Sequence, residues 1–356
     1  MFWTSIMVFV ALICTYIEIS HQAYLEESGT DIILWLQGYK SPLLDLLFEI
    51  LGGILAVFFL VASGVLYLCG HREIGMMGTY AGFFGAAISG TAKMLILHPR
   101  PFWKVQSIQV VSCPYDWGAP SGHASSGGAA MIILAYFWLQ SKSNNFYKIL
   151  LLILSLLITL IDRVYLGLHF HFQVILGYSY SAVVAFYYLS KTQREGFFSL
   201  SQNKKTLILE LCKALGFVIF SVWVYSKQYI EIEESWKINY NDKCTRQLKF
   251  EDVMIKNISE AMYVWLISGM IFGFYMIKGC RKPIMSMKVV IISLAFYLGI
   301  LVYVIASDKV FISRFPYYLR FAFLCLNRFA AGFVMGFYLP KAVLKVGEYG
   351  LDKQNN

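Results

Sequence analysis

Three histidines, one lysine and two arginines lie in three short motifs of an otherwise apolar chain. The motifs read K-M-L-I-L-H-P-R-P at 93–101, P-S-G-H at 120–123 and R-V-Y-L-G-L-H at 163–169. Lysine and arginine bind phosphoryl oxygens, and histidine acts as a nucleophile or as a general acid. Together the motifs indicate a site that hydrolyses phosphate esters through a phosphohistidine.

The first motif supplies two cations. Pro99 and Pro101 disfavour helical geometry at the residues that precede them, so the helix containing Lys93 is expected to end before Arg100. Arg100 would then lie in an extended turn and fold back toward Lys93. Its guanidinium binds phosphate with two parallel hydrogen bonds, and the ammonium of Lys93 binds it as a compact charge. Taken alone, the pair is also typical of two interfacial residues that extend toward water.

The second motif is expected to begin a helix. Ser121 is a favourable N-cap, and Gly122 lets the backbone approach an anion closely. Free N–H groups at a helix N-terminus bind anions because the helix dipole favours negative charge there. His123 is then placed to protonate the departing alcohol as a general acid. A helix start built from small residues for close helix contact would explain the glycines but not the histidine.

The third motif supplies the nucleophile. We assign His169 to attack on phosphorus and Arg163 to stabilise the charge that develops on the phosphoryl oxygens. Gln173 follows His169 by four residues, so its amide is expected to accept the imidazole N–H and orient the ring. His98 and His171 are interpreted as hydrogen-bonded interfacial residues without a catalytic role.

The composition indicates an integral membrane protein. Of 356 residues, 58% are apolar and 14% are charged, with a mean hydropathy of +0.61, whereas soluble domains have roughly 25% charged residues. The net charge of +9 would suggest a nucleic acid partner in a soluble protein. Here the basic residues lie in short loops between apolar segments, so no nucleic acid partner is predicted. The seven cysteines show no C-x-x-C spacing, and neither a metal nor a cofactor is predicted.

Ten apolar segments are long enough to cross a bilayer, which predicts an all-α polytopic membrane protein. They are 2–20, 44–69, 74–97, 122–140, 147–161, 171–189, 206–226, 260–277, 289–306 and 321–340. The first could instead be a signal peptide, which would leave nine spans, although it lacks the basic region of such peptides. Residues 31–37 predict either an interfacial helix at the membrane surface or a short buried loop helix.

Basic residues concentrate in alternate loops, which places those loops on the cytoplasmic side. These residues are Arg72, Lys142, Lys148, Lys191, Arg194, Lys204, Lys205, Lys278, Arg281, Lys282, Lys288, Lys341, Lys345 and Lys353. All three motifs then fall on the opposite, lumenal or extracytoplasmic side. Cys113 and Cys244 fall there too, so the topology allows a disulfide between them. The endoplasmic reticulum membrane is favoured, and a plasma or bacterial inner membrane would give the same charge pattern.

The spacing of the motifs resembles the signature of the type 2 phosphatidic acid phosphatase and vanadium haloperoxidase superfamily: Lys93-x6-Arg100-Pro101, Pro120-Ser-Gly-His123 and Arg163-x5-His169. The resemblance implies a metal-independent phosphoric monoester hydrolase of the acid phosphatase type, inhibited by vanadate. It also implies a six-helix phosphatase core at 30–190, preceded by an N-terminal hydrophobic segment at 1–29 and followed by four C-terminal membrane helices in 191–356.

Two positions depart from the usual pattern of that superfamily. Asp162 stands where a serine normally precedes the arginine, and Gln173 stands where an aspartate normally supports the nucleophile. A neutral amide stabilises an imidazolium less than a carboxylate does, and Asp162 would partly neutralise Arg163, so a slower or narrower enzyme is conceivable. The glutamine, the run Arg100-Pro-Phe-Trp103 and the four further spans also resemble the glucose-6-phosphatase branch.

The substrate is left open between two classes. A phosphorylated lipid is the first choice, because a site at the membrane surface suits a substrate anchored among the membrane lipids. A soluble sugar phosphate is the alternative, favoured by the glucose-6-phosphatase-like features. Two further hypotheses are a catalytically silent lipid-binding scaffold, supported by the substitutions at 162 and 173, and a transporter, supported by Arg328 within an apolar segment. The oligomeric state is not predicted.

Overall fold

The computed structural model describes residues 2–140, 145–199, 203–276, 287–312 and 317–343. Outside these ranges lie six of the basic residues used to predict the orientation: Lys142, Lys278, Arg281, Lys282, Lys345 and Lys353. The described part is helical and contains no strand. The all-α prediction is therefore confirmed.

The helices follow one another with short connections. In chain order they are α1 (Phe2–Ser20), α2 (Gln22–Gln37), α3 (Pro42–Leu68), α4 (Arg72–Ile96), α5 (Pro101–Lys104), α6 (Gly122–Leu139), α7 (Asn145–Tyr165), α8 (His171–Leu189), α9 (Lys191–Phe198), α10 (Lys204–Lys227), α11 (Glu234–Asn241), α12 (Phe250–Ala261), α13 (Tyr263–Met276), α14 (Met287–Ile312) and α15 (Tyr317–Phe333). A π-helical turn, Val334–Tyr338, continues α15.

Eight helices within the described ranges are long and apolar enough to cross a membrane, so the chain is a polytopic membrane protein. These eight are Phe2–Ser20, Pro42–Leu68, Arg72–Lys104, His171–Leu189, Lys204–Lys227, Phe250–Met276, Met287–Val304 and Ala322–Val343. The predicted spans 122–140 and 147–161 are present as α6 and α7 but are not among them. In α6 the run Gly122-His-Ala-Ser-Ser-Gly-Gly128 makes the first half only weakly apolar.

Helix α4 is the centre of the bundle. It packs against α3, α6, α8 and α12, and most of its residues are buried. Two glycines permit this packing: a Cβ on Gly85 would overlap the carbonyl of Ser125, and one on Gly90 would lie 2.6 Å from Asn257 O. The end of α4, which contains Lys93, is therefore held closely between α6 and α12.

The loops that contain the three motifs meet at one end of this bundle. Gly118 N donates to His98 O at 2.7 Å, which joins the segment before α6 to the segment after α4. Ser121 N donates to Gln173 O at 2.9 Å, which joins the start of α6 to the first turn of α8. Residues 31–37 form the end of α2, where Gln37 Nε2 donates to Tyr165 O at 2.9 Å.

A disulfide joins two connecting segments at the same end. Cys113, in the loop before α6, is bonded to Cys244, in the segment after α11. The prediction that these two loops lie on the same side is therefore confirmed. Asn239 of α11 adds a second link, because its Nδ2 donates to Trp103 O at 2.9 Å.

The C-terminal helices α13 and α15 cross at glycines. A Cβ on Gly332 would overlap the carbonyl of Leu266, so the two backbones are in direct contact there. Arg328 of α15 is fully buried and donates to the carbonyl and the hydroxyl of Ser259 in α12. Its guanidinium carbon also lies 4.1 Å from the ring centroid of Tyr263. These contacts give the intramembrane arginine a structural role.

Candidate active site

One cavity of about 300 Å³ is lined by residues from all three motifs. It lies where the C-terminal end of α4 meets the N-terminal ends of α6 and α8. Among its lining residues are Lys93, Arg100, Gly122, His123 and His169. The structure thus brings together five of the residues that the sequence assigned to phosphate binding and catalysis.

A tight turn after α7 places His169. Gly167 has φ +68°, a left-handed conformation that favours glycine, and a Cβ there would lie 2.6 Å from Gln109 O. The carbonyl of Arg163 accepts hydrogen bonds from Leu168 N at 3.0 Å and from His169 N at 3.2 Å. The end of α7 therefore holds the backbone of His169 directly.

The hydrogen bonds of His169 define its tautomer. Nδ1 lies 2.8 Å from the carbonyl oxygen of Gly118, which can only accept, so Nδ1 carries the proton. The lone pair of Nε2 accepts a hydrogen bond from Arg100 Nη1 at 3.1 Å. Burial lowers the pKa of His169 well below its ordinary value, and the charges of Arg100 and Lys93 act in the same direction. The ring is therefore neutral, with its nucleophilic lone pair on Nε2.

Gln173 does not form the predicted hydrogen bond to His169, because the carbonyl of Gly118 already accepts the Nδ1 proton. Gln173 Oε1 instead accepts from Phe170 N at 3.2 Å, and its Nε2 donates to Pro99 O at 3.0 Å. A Cβ on Gly118 would lie 2.7 Å from Gln173 Oε1, so the amide packs directly against this glycine. Gln173 therefore links the three motifs. It orients His169 indirectly, because it packs against Gly118, whose carbonyl accepts the Nδ1 proton.

Asp116 pairs with both cations of the first motif. Its carboxylate accepts from Arg100 Nη2 at 2.7 Å and forms an ion pair with Lys93, and its backbone carbonyl accepts from Arg100 Nε at 2.8 Å. Burial raises the pKa of Asp116, but the charges of Arg100 and Lys93 outweigh burial and hold that pKa well below its usual range. The sequence interpretation missed this residue, although it is the sole acid between positions 105 and 120.

The second motif presents the start of a helix to the cavity. Ser121 occupies the N-cap with φ −65° and ψ 118°, but its side chain makes no capping bond, and its buried Oγ has no hydrogen-bond partner in the described part of the chain. A Cβ on Gly122 would lie 3.6 Å from Lys93 Nζ. The Ser121 side chain thus leaves the first N–H groups of α6 to an anion beside Lys93. His123 is the next residue and is exposed.

Arg163 forms an ion pair with the preceding residue, Asp162. Its Nε and Nη2 donate to the two carboxylate oxygens of Asp162 at 3.0 and 3.2 Å. Within the described residues it does not line the cavity of about 300 Å³. The Asp162–Arg163 pair lies against α3, where a Cβ on Gly52 would overlap the Asp162 carboxylate. Asp162 therefore partly neutralises the third positive side chain, as its sequence position led us to expect.

Two residues of α12 also line the cavity, and the sequence analysis missed both. Glu260 Oε2 accepts from Lys93 Nζ at 2.9 Å, and Lys256 Nζ lies 3.5 Å from Glu260 Oε1. The available signal was an acid and a base four residues apart at the start of a predicted span. The span was predicted from residue 260, whereas the helical segment begins at Phe250.

The two histidines interpreted as interfacial, His98 and His171, differ from each other. Both ring nitrogens of His98 contact carboxylates, those of Glu18 and Glu26, with Nε2 2.6 Å from Glu26 Oε1. The buried Nδ1 of His171 has no hydrogen-bond partner among the described residues. The described ranges contain no group of three His, Cys, Asp or Glu residues that could hold a metal ion.

Residues 75–197 match the family model of the PAP2 superfamily. The matched range runs from the first turn of α4 into α9 and contains all three motifs. Helix α12, with Lys256 and Glu260, lies outside it. No curated protein and no solved structure is significantly similar to the chain.

Proposed function

We propose that this chain, which belongs to the PAP2 superfamily through residues 75–197, hydrolyses phosphate monoesters through a phosphohistidine. Membership of the superfamily supports phosphatase activity on phosphate esters. The observation that carries the finer proposal is the lone pair of His169 Nε2, which lies 3.1 Å from Arg100 Nη1 in a cavity shared with Lys93 and His123.

The first chemical step transfers the phosphoryl group to the protein. Lys93, Arg100 and the first N–H groups of α6 bind the phosphoryl oxygens, and Nε2 of His169 attacks phosphorus from the side opposite the leaving oxygen. The bond from phosphorus to the ester oxygen breaks as the bond to nitrogen forms. His123 takes the proton of the substrate's phosphate monoanion and passes it to the departing alkoxide, which leaves as an alcohol.

The second step releases phosphate. His123, now without its proton, accepts one from a water molecule that attacks phosphorus, and the bond between nitrogen and phosphorus breaks. Inorganic phosphate leaves, and His169 returns to its neutral form. Arg163 stabilises the phosphoryl charge less than an unpaired arginine would, because Asp162 balances part of its charge.

Asp116 takes over part of the role of the aspartate that Gln173 replaces. His169 becomes positively charged as it attacks, and its Nδ1 partner is a neutral carbonyl. The negative charge of Asp116 raises the pKa of His169, against the larger lowering effects of burial and the cations. This carboxylate therefore favours the charged phosphohistidine, although it makes no direct contact with the ring.

A phosphorylated lipid is the proposed substrate. Val57, midway along α3, lines the cavity and is itself exposed. Its neighbours Ile54 and Phe58 are exposed apolar side chains on the same helix. Because exposed apolar residues of a membrane helix contact lipid chains, the cavity borders the region where an acyl chain would lie. A soluble sugar phosphate is the second candidate, favoured by the carboxylates of Asp116 and Glu260 in the cavity wall.

The proposed site faces the lumen or the outside of the cell, with the endoplasmic reticulum membrane as first choice. The disulfide Cys113–Cys244 lies beside the loop that contains Asp116, and such bonds form in oxidising compartments. At the other ends of the helices, Arg72 begins α4 and Lys204 begins α10, as the positive charge of cytoplasmic loops requires.

Phosphate release by the purified full-length protein in detergent micelles tests the function. The wild-type protein should release phosphate from a panel of lipid and sugar phosphates, and vanadate should inhibit it. His169→Ala should lose about 10³-fold or more in kcat, because no other group forms the covalent intermediate. His171→Ala is the matched control, since this neighbouring histidine does not line the cavity.

Full activity of His169→Ala would remove the nucleophile assignment. Acid-labile, alkali-stable labelling by a radioactive phosphate ester should be found in the wild-type protein and lost in the variant. A marked preference for a water-soluble sugar phosphate over every lipid phosphate would replace the lipid proposal with the second candidate.

A further inference from the structure

Glu260 is a charged residue of the site that the two-step reaction does not use. Its helix, α12, is pressed against α4 at Gly90, where a Cβ would lie 2.8 Å from Glu260 Cβ. The preceding residue, Ser259, is held from the other side by Arg328. These contacts aim the carboxylate of Glu260 at Lys93, which it reaches at 2.9 Å.

A carboxylate at this position opposes phosphate binding. Two like charges about 6 Å apart at an effective dielectric constant near 20 weaken an association by roughly a hundredfold. Glu260 also occupies one of the three hydrogen-bond donors of Lys93, and Asp116 occupies another. The ion pairs with Lys93 and Lys256 hold Glu260 in place in spite of this repulsion.

Lys256 gives Glu260 a second partner. Its Nζ lies 3.5 Å from Glu260 Oε1, on the oxygen that does not contact Lys93. When a phosphate binds the ammonium of Lys93 in place of Glu260, Glu260 stays paired with Lys256. Its Oε2 then becomes free to accept another hydrogen bond. The side chain of Glu260 is 17% exposed, so a bound molecule can reach it.

The start of α6 shows what would make that hydrogen bond. A Cβ on Gly122 would lie 3.6 Å from Lys93 Nζ and 3.9 Å from Glu260 Oε2, so one point at this helix start is close to both groups. A phosphate bound there by Lys93 and the helix N–H groups would lie beside Glu260, within reach of a substituent near its ester carbon. A hydroxyl group on the neighbouring carbon is the donor that a carboxylate accepts.

We infer that Glu260 is a specificity-determining residue that selects phosphate monoesters with a free hydroxyl next to the ester carbon. The inference rests on the proposed function, since it assumes a phosphate ester in this cavity. Free polyol phosphates and glycerol-based lipid phosphates with an unsubstituted hydroxyl share this chemistry. Because α12 lies outside residues 75–197, the C-terminal helices then have a role in substrate choice.

Binding, measured without turnover, tests the inference. The full-length protein with His169→Ala, in detergent micelles, is titrated calorimetrically with two matched pairs of ligands. The soluble pair is glycerol 3-phosphate and propyl phosphate, and the lipid pair is 1-O-dodecylglycerol 3-phosphate and dodecyl phosphate. The hydroxylated member should bind about tenfold more tightly in at least one pair, as one charge-assisted hydrogen bond requires. The pair with the larger ratio identifies the source of the ligand.

Glu260→Met should bring the affinity ratio of the two members of a pair close to one. It should also tighten the binding of the ester without hydroxyls, because the negative charge beside the phosphate is gone. Glu260→Gln, which keeps an acceptor of similar shape, should retain an intermediate ratio. Lys256→Met should weaken both members about equally. Glu251→Met is the matched control on an exposed position of the same helix, and it should leave the ratio as it is in the parent protein.

A ratio near one in the parent protein, a ratio unchanged by Glu260→Met, or an equal loss for both members of a pair would overturn the inference. The proposed function can fail separately. Hydroxyl preference in binding without any phosphate release by the wild-type protein would refute the phosphatase and leave the inference standing. Release of phosphate from propyl phosphate and glycerol 3-phosphate at equal efficiency would refute the inference and leave the phosphatase standing.

Discussion

The surroundings of His169 and the crossing of α13 with α15 are held together by different interactions. Around His169, polar side chains and carbonyl groups fix each other by directional hydrogen bonds, such as those from Nδ1 to Gly118 O at 2.8 Å and from Arg100 Nη2 to Asp116 at 2.7 Å. At the crossing, the backbones of the two helices lie directly against each other, and a Cβ on Gly332 would overlap the carbonyl of Leu266.

The comparison shows how a cluster of like charges is supported in this protein. Burying cations next to each other is unfavourable unless each has a partner, so the first region by itself adds little stability. Close packing of helices at small residues stabilises the second region and gives the first a rigid support. Helix α12 connects the two, because Ser259 contacts Arg328 and the next residue, Glu260, contacts Lys93. Substitutions in the two regions should therefore change different measured quantities.

The largest effect is expected from His123→Ala in the first region. As the proposed general acid, His123 contributes to the first chemical step only where the leaving group needs a proton. Its loss should lower kcat/KM, which reports on the steps up to release of the alcohol, by about 10³-fold for an alkyl phosphate. For p-nitrophenyl phosphate, whose phenolate leaves unprotonated, the loss should stay below about tenfold. The melting temperature should not change, since the side chain is exposed. An equal loss for both esters would exclude the general-acid role.

The next largest effect is expected in the second region, from Gly332→Ala. The added Cβ overlaps the Leu266 carbonyl, so the helices must separate, and the free energy of unfolding should fall by about 3 kcal/mol. Thermal unfolding in detergent measures this, and kcat per folded molecule should stay within about twofold of wild type. Gly216→Ala is the control, because a Cβ there has no atom within 4 Å. A similar fall in the free energy of unfolding for both variants would show that close packing at the crossing does not determine stability.

The smallest effect is expected from Asp162→Asn at the edge of the first region. Without the carboxylate charge, Arg163 should attract the phosphoryl group more strongly, so vanadate should bind about fivefold more tightly. The variant without vanadate should be less stable, since a buried arginine has lost its charged partner. Vanadate should therefore raise its melting temperature more than that of the wild type.

The control for this comparison is Asp252→Asn, which removes the same charge from an ion pair with Arg246 at 3.0 Å, outside the cavity. It should leave vanadate affinity unchanged. Weaker vanadate binding by Asp162→Asn would mean that Asp162 supports the site directly, and the two regions would then be less distinct than proposed.

Local features of the sequence predicted much of the frame. The span predicted at 171–189 coincides with α8, and Ser121 is the residue before α6, because apolar runs and helix-start signals act over a few neighbouring residues. Counting spans placed the two cysteines on one side, which allowed the disulfide that the structure contains. The partner of Gln173 was predicted incorrectly, because helical spacing says which residues share a face and not which carbonyl group reaches the imidazole first.

By itself, the sequence determined that the chain is an all-α membrane protein in which the three motifs lie at helix ends. Only the tertiary structure decided that Asp116 pairs with Lys93 and Arg100, and that Glu260, 167 positions after Lys93, contacts the same ammonium group. Residue type and helical period are properties of neighbouring residues and can be read along the chain. The partner of a buried charge depends on which helices pack together, and close packing at Gly90 is what brings α12 to the site.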